Sequence, residues 1–316
     1  MERLEYFVKV AENLSFSKAS KLLSISQSTL SQQIHLLEKE FDAKLFLRTT
    51  HSVALTEEGK ALLPYARNTL MAANHCYDRV QDVKKLLVGE LNIGATYSFS
   101  PILMETLISF TRQYPKIKLN IIYKPMSDLI EMLRSLSLDL VLAFKPTTTY
   151  RDIESHILFK NHLAAIVNSK HELAQSETLS INDLMKYEIA LPSIGLQARN
   201  SIDSLFAHKV SHMNIRAEFN EVNILLKVVK ESNLVTILAE STVQHEEGIK
   251  AIPINMIGNK MEGCIHILQN EYHKKSLLKF IDVLYESEAV DEKRHDWLDE
   301  YRDQPHKNYY YKPYQV

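Results

Sequence analysis

Residues 16–39, FSKASKLLSISQSTLSQQIHLLEK, constrain the fold more than any other stretch of this chain. They read as two short amphipathic helices joined by the polar turn Ser24-Ile25-Ser26-Gln27. The second helix starts near Ser28 and carries Leu30, Ile34 and Leu37 at i, i+4 and i+7, so one stripe faces a core. Its opposite face presents Ser28, Ser31, Gln32 and His35, all able to donate or accept hydrogen bonds. Ala19 and Ser20 on the first helix are small enough for the two helices to cross closely. That is the layout of a helix-turn-helix, whose second helix enters the DNA major groove. The competing reading is an ordinary helical hairpin in a globular core.

The flanks extend the motif. Residues 2–13 predict a helix with Leu4, Phe7, Val8 and Ala11 inward. Residues 45–48 and 52–55 are short strands around Thr49-Thr50-His51, a hairpin that completes a winged helix. Arg48, Thr49 and His51 at such a tip would lie along the phosphate backbone, unless the tip is only a solvated loop. Thr56 caps a helix with Glu57 and Glu58 in its first turn, running to about residue 88 and bent near Pro64. On it Leu63, Ala66, Leu70, Ala73, Tyr77, Val80 and Leu87 form a coiled-coil-like seam. A monomer would leave that seam wet, so Leu63, Leu70, Tyr77, Val80 and Leu87 are expected to dimerise; docking on its own domain is the alternative.

Charge tests the DNA reading. Residues 1–60 hold eight Lys/Arg against eight Asp/Glu, and the whole chain of 316 residues has a formal charge of −2. Affinity for DNA must then come from the placement of Lys18, Lys21, Arg48 and main-chain amides. Two widely separated cysteines give no disulfide framework, no run of 18 apolar residues occurs, and the N-terminus is unlike a signal peptide. A cytoplasmic protein without a membrane segment is expected.

From Gly89 strands alternate with helices. Strands at 91–95, 119–123 and 138–144 around helices at 101–113 and 126–136 predict a mostly parallel sheet. Strands at 163–168, 188–191, 215–219, 234–239, 249–254 and 264–269 continue the series, with helices at 198–208, 222–231 and 274–286. That number suits two α/β lobes linked by crossing strands near 158–167 and 263–269. The expected organisation is a winged helix-turn-helix at 1–58, a linker helix at 59–88 and a two-lobed α/β domain at 89–290. Lobe one takes 89–161 plus 265–290, lobe two 162–264, and residues 291–316 form a polar, Tyr-rich, mobile tail. Open α/β sheets bind ligands at the carboxyl ends of strands, where helix N-termini point amides at anions. Thr96, Tyr97, Ser98, Ser100, Ser127, Ser193, Gln197 and Asn223 are the candidates; singly, such residues cap helices.

Enzyme chemistry is not visible. Seven glycines leave little room for a phosphate loop, and G-x-S-x-G, H-E-x-x-H and C-x-x-C are absent. His208 and His212 at i, i+4 lack a third metal ligand at helical spacing. No metal or cofactor is expected. A solute-binding module or a small-molecule enzyme on the α/β lobes remains the rival class.

One resemblance covers the first sixty residues densely. Phe7, Val10-Ala11-Glu12, Ser15-Phe16-Ser17, Ala19-Ser20, Leu23 and Ser26-Gln27-Ser28-Thr29-Leu30-Ser31 resemble the N-terminal domain of LysR-type transcriptional regulators. Ile34, Leu37-Glu38, Leu45-Phe46, Arg48-Thr49, Leu55-Thr56 and Gly59 continue the likeness, and the rest, to about residue 290, resembles that family's effector domain by layout. The resemblance implies a winged helix, a dimerising linker, a two-lobed domain akin to periplasmic binding proteins, dimers paired into tetramers, and a small organic anion as effector. It places Gln27, Ser28, Ser31, Gln32 and His35 where bases or adjacent phosphates are read and Arg48 at the wing phosphate contact, and residues 96–100 and 193–197 at the effector; Lys18, Thr29, Thr49 and His51 join the DNA-facing candidates by position alone. Departures are Gln32 and His51 where arginines are frequent, and Ser232-Asn233-Leu234-Val235 in place of a Gly-x-Gly turn.

Overall fold

A computed structural model describes residues 1–49, 52–83, 87–146, 148–244, 246–269 and 272–292. His51 and residues 293–316 of the expected tail lie outside this range. A first compact unit is built on residues 1–86 and a second on residues 87–133 and 138 onward.

The first unit comprises α1 (Glu2–Asn13), α2 (Phe16–Leu22), α3 (Gln27–Glu40), the hairpin of β1 (Phe46–Arg48) and β2 (Val53–Leu55), and α4 (Glu57–Val83). Side-chain caps mark where α2 and α3 begin. The Ser15 side chain accepts from the Lys18 amide and that of Ser26 from the Thr29 amide at 3.0 Å. Leu14 leaves α1 with a left-handed backbone, φ 45°. Phe7, Val10, Ala19, Leu30, Ile34 and Leu45 are fully buried, and the Phe46 ring lies 5.4 Å from Phe7 and 5.7 Å from Phe16, locking the hairpin to the helices. Arg48 pairs with Val53 and Phe46 with Leu55 in an antiparallel register. The Gly59 amide donates to the Thr56 hydroxyl at 2.9 Å, and a Cβ on Gly59 would run into the Leu45 carbonyl oxygen.

The linker seam divides. Ala66 is buried, and Leu63 and Leu70 pack against the core of their own unit, since their spacing turns them toward α1. Tyr77 and Val80 are 61% and 51% exposed. Helix α4 is described to Val83, and Leu87 packs against the core of the second unit. Of the five positions expected to dimerise, Leu63, Leu70 and Leu87 thus already have apolar partners within their own units, while Tyr77 and Val80 are exposed.

The second unit runs β3 (Gly89–Ala95), α5 (Ser100–Gln113), β4 (Ile117–Tyr123), α6 (Met126–Arg134), β5 (Leu140–Phe144), β6 (Ile153–Asn161), β7 (Leu163–Asn168), α7 (Ile181–Leu184), β8 (Glu188–Pro192), α8 (Gln197–Phe206), β9 (Asn214–Phe219), α9 (Val222–Lys230), β10 (Thr236–Ala239), β11 (Ile249–Pro253), β12 (Met261–Leu268) and α10 (Lys275–Tyr285). Lobe one holds a five-stranded sheet in the order β4-β3-β5-β12-β6. Strand β3 is parallel to β4 and β5, but β12 is antiparallel to β5 and β6. The sheet is therefore mixed rather than mostly parallel, because β12 returns from the other lobe and enters from the opposite end. Lobe two holds the antiparallel sheet β10-β7-β11 and the parallel pair β8-β9. The chain leaves lobe one between Asn161 and Leu163 and returns between Pro253 and Met261. Residues 261–264, expected in lobe two, thus pair within lobe one.

A buried ion pair seals the start of lobe one. Lys274, just before α10, reaches Asp139 Oδ1 at 3.0 Å and donates to the Glu90 carbonyl at 3.2 Å, while Asp139 accepts from the Asn92 amide at 2.8 Å. Phe280 meets Phe110 edge-on at 5.2 Å, so α10 and α5 share one core.

Candidate nucleic-acid interface and effector cleft

Helix α3 and the wing enclose an open groove. One side is lined by Ser17 on α2, Gln27, Ser28 and Ser31 on α3, and Arg48, Thr49 and Ser52 on the wing. The other side takes in Gln32, His35 and Lys44, and Ser28, Ser31 and Arg48 belong to both. The structure thus brings together Gln27, Ser28, Ser31, Gln32, His35, Arg48 and Thr49. Lys18 is exposed at the start of α2, and Thr29 is occupied with its own cap, its hydroxyl 2.8 Å from Ser26. Ser17 donates to Gln27 at 2.8 Å, which ties the two helices at the groove edge.

Arg48 sits at the divide of the groove. Its Nη1 donates to Ser31 Oγ at 2.9 Å, and its guanidinium lies 4.4 Å above the Phe16 ring, a cation–π contact. Beneath it is Glu38, on the inner face of α3 and only 4% exposed. Glu38 Oε1 accepts from the amides of Leu45 at 3.0 Å and Phe46 at 3.4 Å, and Oε2 faces Lys44 at 3.2 Å and Arg48 at 3.9 Å. Burial alone would raise the Glu38 pKa, but the Leu45 amide, Lys44 and the Phe46 amide together hold it below the usual carboxylate range. Sequence reasoning had not singled out Glu38 as functional, since its partners become neighbours only once the turn after α3 folds back.

In the second unit the loops at the strand ends meet around Tyr97. From lobe one its ring reaches the lobe-two cluster that holds Ala198, Val222 and Leu196, and lies 6.3 Å from Tyr123. Burial raises the Tyr97 pKa, as do the carboxylates of Glu246 and Glu221 and the neighbouring Tyr123. The buried Thr96 amide donates to the Leu142 carbonyl at 3.0 Å, and its hydroxyl has no hydrogen-bond partner among the described residues. Ser241 donates to the Ser98 carbonyl at 3.4 Å, a second link between lobes, and Ser100 opens α5. Ser193 shapes the turn before α8, its amide bonded to Phe219 and its carbonyl to the Leu196 amide.

Three of the expected effector residues are otherwise engaged. Gln197 spends both ends of its amide on the Phe144 backbone, accepting at 3.1 Å and donating at 2.6 Å, so it joins the lobes instead of standing open to a ligand. Ser127 is exposed and bonds its neighbour Asp128, and Asn223 is exposed with its side chain folded onto the Ile224 amide. Ser241 and Thr242, which follow β10 and are buried beside the Ser98 backbone, were not among the expected positions, and the Thr242 hydroxyl has no hydrogen-bond partner among the described residues. Arg199 is enclosed by Asp203, Glu218 and the Pro192 carbonyl.

Among the described residues no cluster of three or more His, Cys, Asp or Glu could hold a metal, and no helix is long and apolar enough to cross a membrane. The His208 side chain lies outside the description.

Comparison with known proteins follows the same division. A family model for the bacterial regulatory helix-turn-helix protein, lysR family, matches residues 1–60, and one for the LysR substrate binding domain matches residues 84–288. The HTH-type transcriptional regulator YnfL of Escherichia coli is 31% identical over 245 residues, 76% of this chain and 82% of that protein. The transcriptional dual regulator GltC of Bacillus subtilis is 30% identical over 248 residues, 77% and 81% of the two chains. Full-length OxyR from Pseudomonas aeruginosa superposes with a TM-score of 0.67 at 21% identity, covering 91% of this chain and 93% of its own. Full-length CbnR, solved with its target DNA, gives 0.68 at 21% identity, covering 90% and 98%. On the two domain matches and these relatives, the chain belongs to the LysR family: it is a DNA-binding transcriptional regulator with an effector-binding domain, and not an enzyme.

Proposed function

We propose that this regulator works in the cytoplasm as a dimer, or as a tetramer built from two dimers, on an inverted-repeat operator, and that a small organic anion in the inter-lobe cleft switches it. The observation that carries the DNA half is the groove, where Gln27, Ser28, Ser31 and Arg48 converge on one open face of α3. Protein two-fold symmetry then demands a two-fold symmetric site. Tyr77 and Val80, exposed late on α4, are the seam positions that a partner helix would cover.

The buried, unpartnered Thr96 hydroxyl just ahead of α5 supports the ligand half. A carboxylate there would accept from that hydroxyl and meet the positive end of a 14-residue helix. The carboxylates of Glu221 and Glu246 near Tyr97 require the ligand to turn its acidic group toward Thr96 and neutral or donor groups toward Tyr97. Because Tyr97 packs on lobe two, a ligand at this point shifts lobe closure and with it the spacing of paired DNA-binding units.

The test is a gel shift of the full-length chain on duplexes it selects from a random pool, with and without a panel of small carboxylates. Selected sites should be inverted repeats, and at least one carboxylate should change the affinity or the bend. Selection of asymmetric sites would refute the symmetric reading, and stabilisation only by amines would refute the anion.

A further inference from the structure

Glu38 is 4% exposed and lines the floor of the groove, where its carboxylate joins the base of the wing to the cations beside it. Its Oε1 holds the amides of Leu45 and Phe46, the residues at which the chain turns up into β1. The same segment is fastened from the other side, where the Thr56 amide donates to the Leu45 carbonyl at 3.1 Å and the Thr56 hydroxyl to the Lys44 carbonyl at 2.6 Å. The Ala43 amide closes the turn on the Glu38 carbonyl at 3.0 Å. Two residues further along the strand, Arg48 points back over α3.

The guanidinium of Arg48 is defined from three directions. Glu38 attracts it from below at 3.9 Å, Ser31 accepts one of its N–H groups at 2.9 Å, and the Phe16 face lies 4.4 Å away. An arginine carries five N–H donors in a planar fork, so most of them remain to meet a base edge or phosphate. Ser31 accepts from Arg48 and therefore keeps its own hydroxyl proton to donate into the groove. A guanidinium held this way can only contact DNA in one register, whereas an unrestrained one would follow any phosphate.

We propose that Glu38 is a positioning residue for DNA recognition: from beneath the groove it fixes the base of the wing and the direction of the Arg48 guanidinium, and so controls sequence discrimination rather than overall attraction to DNA. The sign of its charge sharpens the point. A carboxylate under the groove opposes the phosphate backbone, so its removal should leave nonspecific attraction intact while it loosens the register.

The experiment compares full-length wild type with Glu38→Gln on two duplexes, one selected by the protein from a random pool and one of equal length with scrambled sequence. Glutamine keeps an oxygen for the Leu45 and Phe46 amides but loses the charge. Affinity for the selected duplex should fall about tenfold while that for the scrambled duplex stays equal or rises, so the ratio of the two collapses. In an Arg48→Ala background the same substitution should change the ratio by less than about twofold, because the group it positions is gone. A purely structural role would lower both affinities by one factor; that result, an unchanged ratio, or a full effect without Arg48 would overturn the proposal. Should Glu38→Gln fail to fold, Arg48→Lys decides: it keeps the charge without the fork, and a wild-type ratio in that variant would equally overturn the claim.

Discussion

Glu38 in the DNA-binding unit and Asp139 in the effector unit perform the same chemistry in opposite surroundings. Each is a buried carboxylate that accepts from the main chain, Glu38 from two amides and Asp139 from one, and faces a lysine. Around Asp139 the lysine is sealed in as well, Lys274 and Asp139 being 9% and 6% exposed. Around Glu38 it is not, for Lys44 is 70% exposed and Arg48 opens onto the groove. The difference follows from what each region has to do. Lobe one only needs its first strand, its central strand and α10 clasped together, whereas the recognition helix must keep cations at a surface that DNA will cover.

The comparison makes its largest prediction at the lysines. Lys274→Ala leaves a desolvated carboxylate with one amide donor and should destabilise the effector unit by about 3–5 kcal/mol. Lys44→Ala removes only a solvent-screened partner and should cost no more than about 1 kcal/mol. Urea titration of both variants checks this, and equal costs would break the contrast between a sealed and an open pair.

How far the sequence disclosed these features depends on how local their causes are. Helices α1, α2 and α3 were legible to within about a residue, since their apolar spacing is regular and Ser15 and Ser26 cap α2 and α3 with their own side chains. Strand β6 was largely missed: it is an edge strand whose Glu154, Ser155, His156 and Lys160 mask the alternation expected of a sheet. The use of Gln197 on the Phe144 backbone, 53 residues away, has no local trace in the sequence. Leu63 and Leu70 fit a dimer seam and a domain core equally well on spacing, and only the position of α1 separates the two.

Acid should distinguish the two units next. His266 is fully buried, its Nε2 3.2 Å from the Ala143 carbonyl and its Nδ1 2.8 Å from Ser155, so the neutral ring donates to Ala143 and accepts from the serine. Burial pushes its pKa down to about 4. Between that value and the unfolded one near 6.5, the unfolded chain binds the extra proton, so this stability is lost as the pH falls through the window. Glu38 is a carboxylate with a lowered pKa; its contribution is present above the unfolded value near about 4.3 and disappears only below it. The effector unit should therefore weaken first. Melting of wild type and His266→Gln across pH 7 to 4 reads this, and the variant should show a flatter decline; parallel curves would exclude His266 as the cause.

The smallest effect sharpens the open site itself. If Ser31 read a base and Arg48 only a phosphate, their alanine variants would act independently. Ser31→Ala would relax preference at one base pair, and Arg48→Ala would flatten the salt dependence by about one counterion without touching preference. The 2.9 Å bond from Arg48 to Ser31 denies that separation. Ser31→Ala should release the guanidinium and cost about 1 kcal/mol in discrimination, with part of the loss absent once Arg48 is already alanine. A double-mutant cycle on selected and scrambled duplexes should thus give a coupling of about 0.5–1.5 kcal/mol in the discrimination ratio. Strict additivity would mean that the bond breaks when DNA arrives and that the two residues act apart on the operator. A clear coupling would make Ser31, Arg48 and the carboxylate beneath them one reading device, assembled before DNA is met.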